Sequence, residues 1–113
     1  MSGPLIHDNA LYQLLRDEDI ATFNQRKQAG ETANLTAGDY RGLDLRGLNA
    51  AGLDLSDAYF RNADLRGIDF RHTRLDGASI ADAQISGCYF PPALSAEEIH
   101  LSLTLGTRMR YRP

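Results

Sequence analysis

From Thr32 onward the chain divides into fives: TANLT AGDYR GLDLR GLNAA GLDLS DAYFR NADLR GIDFR HTRLD GASIA DAQIS GCYFP. The register runs for twelve units with no insertion or deletion. The fourth position reads Leu35, Tyr40, Leu45, Ala50, Leu55, Phe60, Leu65, Phe70, Leu75, Ile80, Ile85 and Phe90, large and apolar everywhere except at Ala50. Two residues earlier, from Ala33 to Cys88, every side chain is apolar or small. A period of five fits neither the helix nor the strand periodicity. It fits a chain that turns a corner every five residues, with two side chains of each unit inward and three outward. Four units then close one square coil of twenty residues. Gly42, Gly47, Gly52, Gly67, Gly77 and Gly87 share one phase, two after the central residue, where a corner needs unusual dihedrals.

Units such as NADLR, GLDLR and GIDFR resemble the pentapeptide-repeat family, whose motif is a small residue, Asp or Asn, Leu or Phe, then two polar positions. The resemblance covers residues 32–91 and implies an all-β fold, a right-handed quadrilateral β-helix of about three coils. Stacking residues twenty apart gives inward columns Leu35/Leu55/Leu75, Tyr40/Phe60/Ile80, Leu45/Leu65/Ile85 and Ala50/Phe70/Phe90. Leu43, Leu48, Leu53 and Ile68 are bulky where the family prefers Ala, and at Leu48 the undersized Ala50 exchanges volume with it.

The flanks read as α-helical caps. Residues 1–31 carry one helix over Asn9 to Arg16 and a second after Asp17 that ends before Gly30, covering the open end of the first coil. Residues 92–113 hold a helix opened by a Ser95/Glu98 capping box and stopped at Gly106, then a tail. The three segments make one structural domain, with a net charge of −3 and 24% charged residues, an ordinary soluble composition. No apolar run is long enough to span a membrane, and Met1 to Ile6 lack the features of a secretory signal. The single Cys88 cannot form an internal disulfide, so a cytoplasmic location is expected.

Two charge patterns invite a chemical reading. Asp39, Asp44, Asp54, Asp64 and Asp69 recur with the repeat near corners, and four of them have an arginine two residues on, so they read as turn-stabilising groups. Arg41 and Arg61, like Arg46 and Arg66, stack twenty apart, with Arg71 on the following side. These five arginines read either as a solvated, charge-mixed face or, on the sharper reading, as the candidate partner-binding face, for a protein partner. No external aromatic ladder accompanies them, so direct nucleic-acid binding is not expected. His7, His72 and His100 lie apart with no ligand spacing, Cys88 takes a small inward position, and no nucleophile elbow or phosphate loop is present. No catalytic, metal or cofactor-binding residue is therefore expected.

At the C-terminus, Ala96, Ile99 and Leu103 share one helix face, and Leu101 and Leu105 share nearly the opposite one. Beyond Gly106, Thr107, Met109 and Tyr111 alternate with Arg108, Arg110 and Arg112. Either this tail folds back over the helix or a second subunit covers the second stripe. The reading favours a homodimer through Leu101, Leu105, Met109 and Tyr111.

The expected function is a non-enzymatic binding or scaffold module that presents flat β-helix faces to a protein partner. Family members that protect type II topoisomerases by imitating duplex DNA supply the alternative, a regulator of the gyrase-protection type. Three coils span roughly 14 Å against about 34 Å for one turn of duplex, and acids only narrowly outnumber arginines in the repeat. Both features weigh against imitation. An enzyme is a distant third.

Overall fold

The computed structural model describes residues 3–113. Its regular elements are α1 (Ala10–Arg16), α2 (Ile20–Gln28) and α3 (Ala96–Leu105). Asn9 caps α1, its side chain accepting from the Tyr12 amide at 2.7 Å, and Asp19 caps α2 in the same way from Thr22 at 3.3 Å. α3 starts on Ser95, whose Oγ accepts from the Glu98 amide at 3.1 Å, and stops at Gly106 with φ 74°. The capping box is only half made. The Glu98 carboxylate turns instead to the tail and accepts from the Arg110 amide at 2.8 Å.

Between α2 and α3 the chain winds as a coil of turns. Parallel bridges join residues twenty apart: Asp39 to Tyr59 to Ser79, Asp44 to Asp64 to Gln84, Asp54 to Arg74, and Asp69 to Tyr89. Each is an isolated bridge. The expected all-β class and its right-handed quadrilateral β-helix are therefore corrected: among the described residues no strand or sheet forms, and the named elements are helices. The cause lies in the period itself. Each unit spends an amide on a tight turn, as in Leu48 to Leu45 O (3.1 Å), Ala63 to Phe60 O (2.9 Å) and Ile68 to Leu65 O (3.1 Å). One residue per side is then left to pair before the next corner, so a ladder never gains a second consecutive rung.

The fourth-position side chains fill the coil. Leu35 through Ile80 at this position are buried, whereas Ile85 and Phe90 in the last coil are only half-buried. Tyr40 stacks on Phe60 with centroids 5.3 Å apart, and Phe70 on Phe90 at 5.9 Å. Gly38 makes room for the Tyr40 ring, which a Cβ there would strike, and the Tyr40 hydroxyl donates to Leu35 O at 2.7 Å. Burial pushes the Tyr40 phenol well above its usual pKa. Of the bulky second-position residues, Leu48 and Ile68 are buried and Leu43 and Leu53 are half-buried against the same core. Positive φ recurs at the corner phase, and where glycine is missing Ala37 (54°), Asp57 (60°), Asn62 (61°) and Asp82 (56°) adopt it.

Both coil ends expose main-chain groups that the caps must satisfy. At the first coil the outward amides of Asp39, Asp44 and Asn49 donate to Tyr12 Oη (3.0 Å), Glu18 Oε2 (2.5 Å) and Asn24 Oδ1 (2.9 Å). Arg16 donates to Asp39 O at 2.9 Å, and Asn24 Nδ2 to Gly47 O at 2.9 Å. At the last coil Leu75 donates to Tyr111 Oη (2.9 Å), Gly77 to Met109 O (2.7 Å), Ile80 to Ser102 Oγ (3.0 Å) and Asp82 to Leu103 O (3.0 Å).

Candidate functional site

The corner that sets each aspartate also sets its arginine. Asp44 accepts from the Arg46 amide (3.2 Å), Nε (2.9 Å) and Nη2 (2.8 Å), and the same fork recurs at Asp39–Arg41, Asp64–Arg66 and Asp69–Arg71. The side-chain bond to the arginine is the main cause that lowers each carboxyl, with Asp44 and Asp69 drawn down to about 2 and Asp39 and Asp64 lowered in the same sense. The arginines are raised in return. Arg46 also reaches Asp64 on the next coil at 3.3 Å, and Arg71 lies 4.5 Å from the Tyr89 ring centroid. Four of the five arginines of the candidate partner-binding face are thus clipped to their own unit's aspartate.

Arg61 differs. The residue two before it is Tyr59 instead of Asp, and among the described residues Arg61 meets a carboxylate only at Asp82, 3.9 Å away. It lines a cleft of about 300 Å³ with Arg41, Tyr59 and, from the tail, Arg108. Sequence spacing missed Arg108, because no period relates the tail to the repeat.

The tail folds back on its own coil. Met109 is fully buried, its amide donating to Ala78 O at 2.8 Å, and Tyr111 is half-buried. Both residues were expected in a dimer interface. Met109 is withdrawn from it, because the coil end supplies the partner that the apolar side of the tail needed, and Tyr111 spends its hydroxyl on Leu75. Leu101 and Leu105 stay on the surface, 38% and 72% exposed.

The bulk of these contacts is repeat geometry, and the family comparison agrees. The family model Pentapeptide repeats (8 copies) matches residues 33–67 and 54–90, together just over half of the chain. The chain belongs to the pentapeptide-repeat family. No curated protein and no solved structure matches it. As a pentapeptide-repeat protein it is a repeat protein of the binding or scaffold type.

The remaining candidate groups of this pentapeptide-repeat protein take structural contacts. His7 Nε2 lies 2.6 Å from Thr36 O with its ring edge-on to Tyr12. The Cys88 thiol donates to Leu65 O at 2.9 Å, and burial pushes its pKa up, away from the thiolate that a nucleophile needs. Among the described residues no group of three His, Cys, Asp or Glu side chains is placed to hold a metal ion. None of the described helices is long and apolar enough to cross a membrane.

Proposed function

We propose that this pentapeptide-repeat protein is a non-enzymatic module that docks a protein partner on the sides of its coil, in the cytoplasm. The supporting observation is the ring of Asp–Arg forks. Each holds an exposed guanidinium and a carboxylate in fixed geometry, so the outer surface offers charge in register before a partner arrives. The same forks disfavour DNA imitation, since the carboxylates that would mimic phosphates are already neutralised by their arginines. Within this reading Arg41, Arg46, Arg61, Arg66 and Arg71 face the partner, and any second copy of the chain meets the first through Leu101 and Leu105.

The test is capture from native cells on the immobilised chain, followed by titration calorimetry with each purified candidate. A saturable partner that weakens when Arg46 and Arg66 are both changed to Glu supports the module. Wild-type chain that yields no saturable partner, or that inhibits gyrase supercoiling at micromolar levels, overturns it.

A further inference from the structure

We infer that the cleft between Arg41, Arg61 and Arg108 is a docking pocket for a single carboxylate, that of an acidic side chain carried by the protein partner. This rests on the module reading above and gives it a chemical address.

Three observations converge on the cleft. Two of its walls come from successive coils, through Arg41 and Arg61, and the third comes from the tail, whose burial at Met109 fixes Arg108 beside it. Arg108 is held in place by Tyr59 Oη at 2.8 Å and by Gly77 O at 3.2 Å, with its guanidinium 5.4 Å from the Tyr59 ring centroid. Arg108, and Arg41 through its fork with Asp39, are therefore positioned before any ligand enters, which lowers the entropy cost of binding.

The arginines of the cleft are unequally paired. Asp39 is shared by Arg16 (3.5 Å) and Arg41 (2.8 Å), Asp57 reaches Arg108 only at 3.4 Å, and Asp82 reaches Arg61 only at 3.9 Å. Of the three arginines that line the cleft, Arg61 is thus the one without a close carboxylate, one positive charge left to be met. A carboxylate supplies one negative charge, whereas a phosphoryl group at neutral pH brings about −1.5 to −2. The guanidinium of Arg61 makes no hydrogen bond to a carboxylate among the described residues, and its planar fork matches a planar carboxylate.

Size and floor agree. About 300 Å³ is at the small end of ligand pockets, room for one side chain and not for a cofactor. The buried Ala58 and Ala81 lie at its base and offer apolar contact to the methylenes of a glutamate.

The experiment titrates the ¹⁵N-labelled full chain at low salt with an end-blocked tetraglutamate peptide and, separately, with inorganic phosphate. The readouts are the Arg61 and Arg108 Nε–H signals and the amides of Gly77, Ser79 and Gly106. Tetraglutamate is expected to shift these signals saturably. Arg61→Ala weakens binding at least about tenfold, while Arg26→Ala, an equal loss of charge on α2, leaves it unchanged. Shifts spread evenly over Arg46, Arg66 and Arg71, no saturation, or a response to phosphate alone would each overturn the pocket. The parent reading fails separately. If captured partners bind wild type and an Arg61→Ala, Arg108→Ala chain equally, the pocket is wrong and the module stands. If tetraglutamate saturates the cleft but no partner is captured, the pocket stands and the module is wrong.

Discussion

The two ends of the coil solve one problem in different ways. At the first coil, side chains spaced six apart on the helical cap, Tyr12, Glu18 and Asn24, accept from amides spaced five apart at Asp39, Asp44 and Asn49. At the last coil the acceptors are mostly backbone and hydroxyl groups of α3 and the tail, and they serve only Leu75, Gly77, Ile80 and Asp82. Among the described residues, the amides of Ile85, Gly87 and Phe90 have no acceptor within the chain, and Ile85 and Phe90 are half-buried where Leu65 and Phe70 one coil earlier are buried. A helical cap that supplies side chains closes the three amides it faces. A cap made from one helix and a folded tail satisfies the amides of Leu75, Gly77, Ile80 and Asp82 and leaves those of Ile85, Gly87 and Phe90 open.

The largest test compares the filled middle with the open end. Phe60→Ala empties the centre of a stacked column and should cost about 3–5 kcal/mol. Ile85→Ala at the rim should cost less than half of that, both read from urea denaturation midpoints. Met109→Ala comes next. It removes a fully buried side chain that anchors the tail, and about 2–4 kcal/mol of stability should go with it. Hydrogen exchange should then rise at Leu75 and Gly77 while Asp39 and Asp44 stay protected. At the other end, Tyr12→Phe leaves the Asp39 amide without its acceptor and should cost about 1–3 kcal/mol, with faster exchange confined to the first coil.

Much of this architecture is legible in the residues. The register of five named the inward side chains, and the corner glycines take the positive φ that their phase implies. The paired Asp and Arg two residues apart form the forks that their spacing suggested. The absence of strands was not legible, because it depends on which amides the turns consume. Nor were Tyr12, Glu18 and Asn24, since a capping acceptor is chosen by where a helix lies and not by any local motif. The tail misled for a physical reason. Its alternation fits a segment that buries one side, but alternation does not say whether the partner is another chain or the chain's own coil. Met109 found its own coil.

Smaller effects sharpen the same contrast. The forks at Asp44 and Asp69 have carboxyls held down at about 2, below the unfolded aspartate near 3.9. Their contribution is present above the unfolded value and is lost as pH falls through about 2. Acid should therefore loosen the sides of the first two coils, where these forks lie, and leave the last coil largely unaffected, a titration that NMR of the aspartate carboxyls can follow. Ala37→Gly relieves a non-glycine corner at φ 54° and should stabilise the first coil by about 0.5–1 kcal/mol. For the stripe outside α3, sedimentation equilibrium at tens of micromolar reads whether Leu101 and Leu105 join two copies. A dimer dissociated by a folded Leu101→Asp, Leu105→Asp chain is the outcome that the proposed function carries.

Amide hydrogen exchange on the wild-type chain tests the contrast between the ends most directly. Tyr59, Phe60 and Asp64 in the middle coil, each bonded to a neighbouring coil, should exchange most slowly. Asp39, Asp44 and Asn49 should follow, held by the helical cap. Ile85, Gly87 and Phe90 should exchange faster than both of these sets. Protection of those three equal to that of Tyr59 and Asp64 would contradict the account, because it would mean that the cap satisfies every outward amide of the last coil.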